Sequence, residues 1–211
     1  MWVGHSCPTA FDCGLGFALA APRCRKARLL RIIQYRSKGV SDPHGLFWLQ
    51  SLYSHEEDMS EIDQIVHELK CAFDGEAWHG PALMEILDGV DAKAAFDRPI
   101  ATAHTIWELV LHVAGWERVI TRRLHGEKLV LSDAENFGQI RDTSETAWKQ
   151  AVTNLRQTHK QLIEDVSKLA EEKLSARTPG KPYDLRFMLH GAAQHAAYHG
   201  GQIALLKRAR A

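Results

Sequence analysis

No apolar run in the chain approaches the ~18–20 residues that a membrane-spanning helix requires, so the sequence points to a soluble, cytoplasmic protein with no membrane partner. C-x-x-C spacing is missing too. The four cysteines, Cys7, Cys13, Cys24 and Cys71, are scattered, which argues against a zinc ribbon or a disulfide scaffold. Nor is there net charge: Lys+Arg and Asp+Glu each total 26, so nothing draws the whole molecule toward nucleic acid or an anionic surface. Convincing strand alternation is absent throughout. What the chain has in plenty is histidine, 12 among 211 residues, a generous supply of neutral-pH ligands and proton carriers.

Residues 1–58 read differently from the rest. Arg23, Arg25, Lys26, Arg28, Arg31, Arg36 and Lys38 crowd a stretch whose one acid before Asp42 is Asp12, and sustained helical periodicity is missing. The run "LGFALAAP" has the flavour of a secretory signal, but the opening "MWVGHS" carries no Lys or Arg and Asp12 interrupts the apolar part. An Arg-rich, acid-poor lead also fits a mitochondrial transit peptide. The reading we adopt is an N-terminal extension, disordered or the product of a mis-assigned start, with translation beginning at Met59 and the folded domain occupying residues 59–211.

From Ser60 the pattern becomes regular. Ile62, Ile65, Val66, Leu69, Ala72 and Phe73 recur at steps of three and four behind a Ser60 cap. Pro81 and Gly89 bracket a short apolar helix. Thr105 and Glu108 form a T-x-x-E capping box that opens a long helix closed by Gly126. Trp148, Val152, Leu155, Leu162, Val166 and Leu169 mark a third long helix of nearly heptad character, and a last one starts near Asp184 or Leu185 and ends in basic residues, where the helix dipole favours them. Four long helices, each with one apolar face, predict an all-α fold, an antiparallel four-helix bundle.

Inside those faces sit histidines. At ~100° per residue, His195 and His199 lie about 40° apart, one turn above the other on the final helix. Their stripe continues through Met188, Ala192, Gln202 and Leu206, so it faces inward, as does the stripe of Leu109, His112, Trp116 and Val119. A buried imidazole needs a hydrogen-bond partner or a metal. A divalent ion held by His112, His195 and His199 with an open position is one explanation, and zinc or nickel suits an all-imidazole set. Separate hydrogen bonds for each histidine is the other, and spacing alone leaves both open. His190 falls about 180° round the helix from His199 and reads as a second-face residue. His104, Trp78 and His79 read as turn and packing residues, and Tyr198 as either a pocket hydroxyl or a packing ring. Glu108 belongs to its cap and Glu117 to a solvated face, so no general base stands out. The pair Gly200 and Gly201, costly within a helix, suggests close helix approach beside the site.

The segments "GEAWHGPALMEIL", "AHTIWELVLHVAGWERVITRRLHG" and above all "MLHGAAQHAAYHGGQIALLKR" resemble the DinB-like (DinB/YfiT-like) superfamily of metalloenzymes, from about residue 59 to the end. That resemblance implies a four-helix bundle, often dimeric, with a three-histidine metal site whose ligands fall on His112, His195 and His199. It also implies chemistry on a small-molecule substrate. Characterised relatives include transferases using low-molecular-weight thiols such as bacillithiol or mycothiol, and a thiol-dependent maleylpyruvate isomerase; others are regarded as hydrolases. The expectation is therefore a metal-dependent thiol S-transferase with a low-molecular-weight thiol cosubstrate. The alternatives are a hydrolase using a metal-bound water and a non-catalytic metal-binding or ligand-sensing bundle. The loops around residues 126–147 and 175–184 are expected to shape the pocket.

Overall fold

The computed structural model describes residues 59–210, and of residues 133 and 134 the backbone alone; the reading of residues 1–58 lies outside them. The described chain is helical, without a β-strand. Its elements are α1 (Glu61–Phe73), α2 (Leu83–Leu87), α3 (Ala92–Phe96), α4 (Ile106–Leu124), α5 (Asp133–Phe137), α6 (Glu145–Val166), a 3-10 turn (Glu171–Ser175) and α7 (Leu185–Arg208). Each of the four long helices starts at a side-chain cap, and for three of them it is the residue that the sequence marks. Ser60 Oγ accepts from the Asp63 N–H, Thr105 and Glu108 cap each other reciprocally, Ser144 accepts from Ala147 and Asp184 from Phe187. Each cap satisfies donors that the first helical turn leaves bare. The short α3 and α5, with no apolar periodicity of their own, escape a sequence reading; α3 is nucleated by Asp91, which accepts from Ala94 at 2.7 Å.

In the bundle, α4 lies beside α6 and α7, and α1 beside α7 and α6. Cross-helix pairs give the directions. Trp107 meets Trp148 edge-on at 5.2 Å and Glu117 meets His159, so α4 and α6 run the same way. Glu61 pairs with Arg186 and Glu68 with His190, so α1 and α7 also run together. His112 on α4 meets both His195 and His199 on α7, and Phe73 at the end of α1 stacks on His159 within α6. The bundle thus combines two parallel pairs with antiparallel contacts between them, and the long connection 125–144 carries the chain from the end of α4 back to the start of its parallel neighbour α6.

The core forms in two parts. One gathers the first halves of α4 and α6, α2, α3 and the end of α7, around Val110, Val113, Leu155 and Ile203. The other gathers α1, the end of α6 and the first half of α7, around Ile65, Leu162, Leu174 and Leu189. α2 is fastened to the end of α7, where the Lys207 ammonium donates to the Ile86 and Asp88 carbonyls at 2.6 and 2.9 Å. The α4–α7 contact at mid-height, between these two parts, is where the histidines fall.

Candidate metal centre

α4 brings His112 inward and α7 brings His195 and His199 inward from the facing side. His112 and His199 are buried and His195 is partly so. The His195 Nε2 lies 3.0 Å from His112 Nε2 and 3.1 Å from His199 Nε2. Tautomers follow from the outer partners. His112 Nδ1 is 2.7 Å from the Asn136 carbonyl oxygen, which can only accept, so the proton sits on Nδ1. His199 Nδ1 likewise donates to Gln202 Oε1 at 2.6 Å. Both Nε2 atoms therefore present bare lone pairs to His195, whose single Nε2 could carry at most one proton between them.

Protonating the trio does not resolve this crowding. Burial, reinforced by the neighbouring imidazoles, drives His195 down to about 3. Burial takes His199 down to about 4 against the help of Gln202, and it lowers His112 as well, with the Asn136 carbonyl opposing. Three neutral imidazoles bring their Nε2 atoms to one point with at most one proton among them, and a cation there would satisfy all three. Two nitrogens each about 2.0–2.1 Å from a common ion, at angles of roughly 90–110°, lie about 2.8–3.4 Å apart; the observed spacings fall within that range. The donor set fits a divalent ion, and among the described residues it is the one such His, Cys, Asp and Glu grouping.

Its surroundings come from the α4–α6 connection. Asn136 on α5 holds His112 through its backbone carbonyl and accepts from Trp116 Nε1 through its side chain at 2.9 Å. Next to it, Phe137 stacks on His112 with centroids 4.4 Å apart and on His104 at 3.6 Å. His104 is thus a packing residue near the site. Tyr198 is exposed, its ring edge-on to His199 at 5.1 Å, and Trp78 is fully exposed. His190 pairs with Glu68 at 2.7 Å on the opposite face of α7.

A cavity of about 340 Å³ opens onto His112 and His195. It corrects the expectation that loops shape the pocket. Trp116, Ile120, Arg123, Phe187, Met188, Gly191 and Ala192 line it from α4 and α7, and the two loop regions contribute Asn136 and Tyr183. Two further readings are overturned. Glu117 is not solvated: it is 5% exposed and accepts from His159 Nδ1 at 2.8 Å, because α4 is covered by α6 as well as α7. Burial pushes its carboxyl up, and the His159 contact works against that. The glycine pair does not crowd the histidines. A Cβ at Gly200 would meet Ile86 Cδ1 at 3.3 Å, whereas one at Gly201 meets nothing within 4 Å. Gly200 admits α2, not a ligand helix.

The described residues thus form an all-helical bundle in which three inward imidazoles from two facing helices, beside an apolar cavity, could hold a metal. The sequence profile of the DinB superfamily matches residues 77–203, and the chain belongs to that superfamily. No curated protein and no solved structure matches it.

Proposed function

We propose that the protein is a divalent-metal-dependent enzyme of the low-molecular-weight thiol S-transferase type, with His112, His195 and His199 holding zinc or nickel. One observation carries the reading: three Nε2 atoms converge with at most one proton among them, at the wall of a cavity large enough for a small molecule. When bound there, such an ion lowers the pKa of a thiol on its open side so that thiolate forms at neutral pH. The chain's own residues supply the rest. Asn136 and Gln202 fix the ring orientations, and the depressed proton affinities of His195 and His199 keep both rings free to ligate at pH 7. Trp116, Phe187 and Met188 provide an apolar wall for an electrophile.

Hydrolysis asks in addition for a proton acceptor within reach. Glu108 is engaged by Thr105 and Arg98, Glu117 is turned toward His159, and among the side chains that the structure describes, which leave out Asp133, no Asp or Glu lines the cavity. That favours thiol transfer. A small-molecule substrate, a homodimeric state and a cytoplasmic setting belong to the same proposal; among the described residues no helix is long and apolar enough to cross a membrane. The test loads the protein with zinc or nickel and screens thiols against monochlorobimane, with ester, amide and lactone substrates in parallel. Thiol conjugation lost in His195→Ala is the expected result. Hydrolysis without thiol would move the assignment to a hydrolase, and silence with every metal would leave a binding or sensing bundle.

A further inference from the structure

The largest fully buried side chain of the described residues belongs to Arg123, 2% exposed. A guanidinium has five N–H donors. Here Nη2 donates to the Leu129 carbonyl at 2.8 Å, Nε is buried with no acceptor, and among the side chains that the structure describes, which leave out Asp133, no carboxylate forms an ion pair with it. The group lies 5.7 Å from the centroid of the Trp116 ring and lines the same cavity as His112 and His195. A charge removed from water and left without a counterion is strongly unfavourable. Replacing Arg123 by a hydrocarbon of similar volume would remove that penalty at little cost in packing. The arrangement makes sense if the missing anion arrives with a ligand.

We propose that Arg123 is the anchor for a carboxylate on the small molecule that enters this cavity, its apolar body lying against Trp116, Phe187 and Met188. The planar fork of Arg suits a carboxylate better than the point charge of Lys. The proposal deepens the transferase reading by giving its ligand a class, an amphipathic monoanion. It rests on that reading for the chemistry, though the anchor itself needs no metal.

The experiment is therefore done first on chelator-treated, metal-free protein, by calorimetric titration of 4-phenylbutyrate and of its uncharged amide. A charge-assisted hydrogen bond in a desolvated site corresponds to roughly a tenfold or greater preference for the carboxylate. The Arg123→Met variant should lose that preference while keeping its fold and its metal stoichiometry. Arg123→Lys should retain part of it. Its melting temperature should not fall in Arg123→Met, as it would if the residue were only a strut to Leu129. Equal binding of acid and amide to the wild-type protein, binding of neither, or a preference that survives Arg123→Met would overturn the proposal. Since the wild-type comparison uses no variant, a misfolded mutant does not shield it. Failure of the metal reading shows separately, as absent stoichiometric zinc or nickel in a protein that still prefers the acid. With loaded protein, the KM that rises in Arg123→Lys tells which reactant carries the carboxylate: the thiol, compared as 3-mercaptopropionate and 2-mercaptoethanol, or the electrophile.

Discussion

At the scale of single residues, the candidate centre depends on two hydrogen-bond acceptors that are not themselves ligands. Gln202 orients His199 from one turn further along α7, and Asn136 orients His112 from another element. Outer partners of this kind typically govern metal affinity by 10–100-fold, so Gln202→Leu is expected to weaken zinc binding by about that factor, as read by competition with a chromophoric chelator, while leaving helix content unchanged. Sequence periodicity exposes His112, His195, His199 and Gln202, because all four lie on inward stripes of long helices. It does not expose Asn136 or Phe137, which reach the site through a connection with no repeating pattern. Glu117 is misread for another reason. A single stripe describes a helix with one buried face, and α4 has two. The clue was His159, which continues the Leu155–Leu162–Val166 stripe and needs a polar partner once buried.

At the scale of elements, the four long helices are legible because caps and apolar stripes agree, each within its own stretch of chain. Their mutual directions are not legible, since nothing local in a helix states whether its neighbour runs with it or against it. The glycines of α7 offer a test of how its faces are used. Gly201 has open space around its missing Cβ, so Gly201→Ala should gain the helix-propensity difference, about 0.5–1 kcal/mol. At Gly200 the new methyl must displace Ile86 Cδ1 slightly, and the gain should be smaller or nil. Urea unfolding of the two variants decides the order.

For the molecule as a whole, the buried imidazoles tie stability to pH. Unfolded histidine titrates near 6.5, whereas His195 and His199 fall to about 3 and about 4 in the folded state. The metal-free fold therefore binds fewer protons than the unfolded chain below pH 6.5. Stability is full above that value and drains away as pH falls toward about 4 and then 3. The raised carboxyl of Glu117 acts with opposite sign, so the informative quantity is the difference between wild type and His195→Leu. Melting temperatures of chelated protein at pH 7.5, 6, 5 and 4 should converge or cross as acid is added, the variant losing less than the parent.

The shared direction of α4 and α6 has a last consequence. Two helices that point the same way cannot be joined by a tight turn; the chain must first walk back along the bundle. Here the walk passes the histidines and leaves Asn136 and Phe137 beside them. Grafting a short hairpin linker would demand a different handshake between the helices, and it would strip one imidazole of its brace. The detour in the topology is thus also the masonry of the pocket's rim.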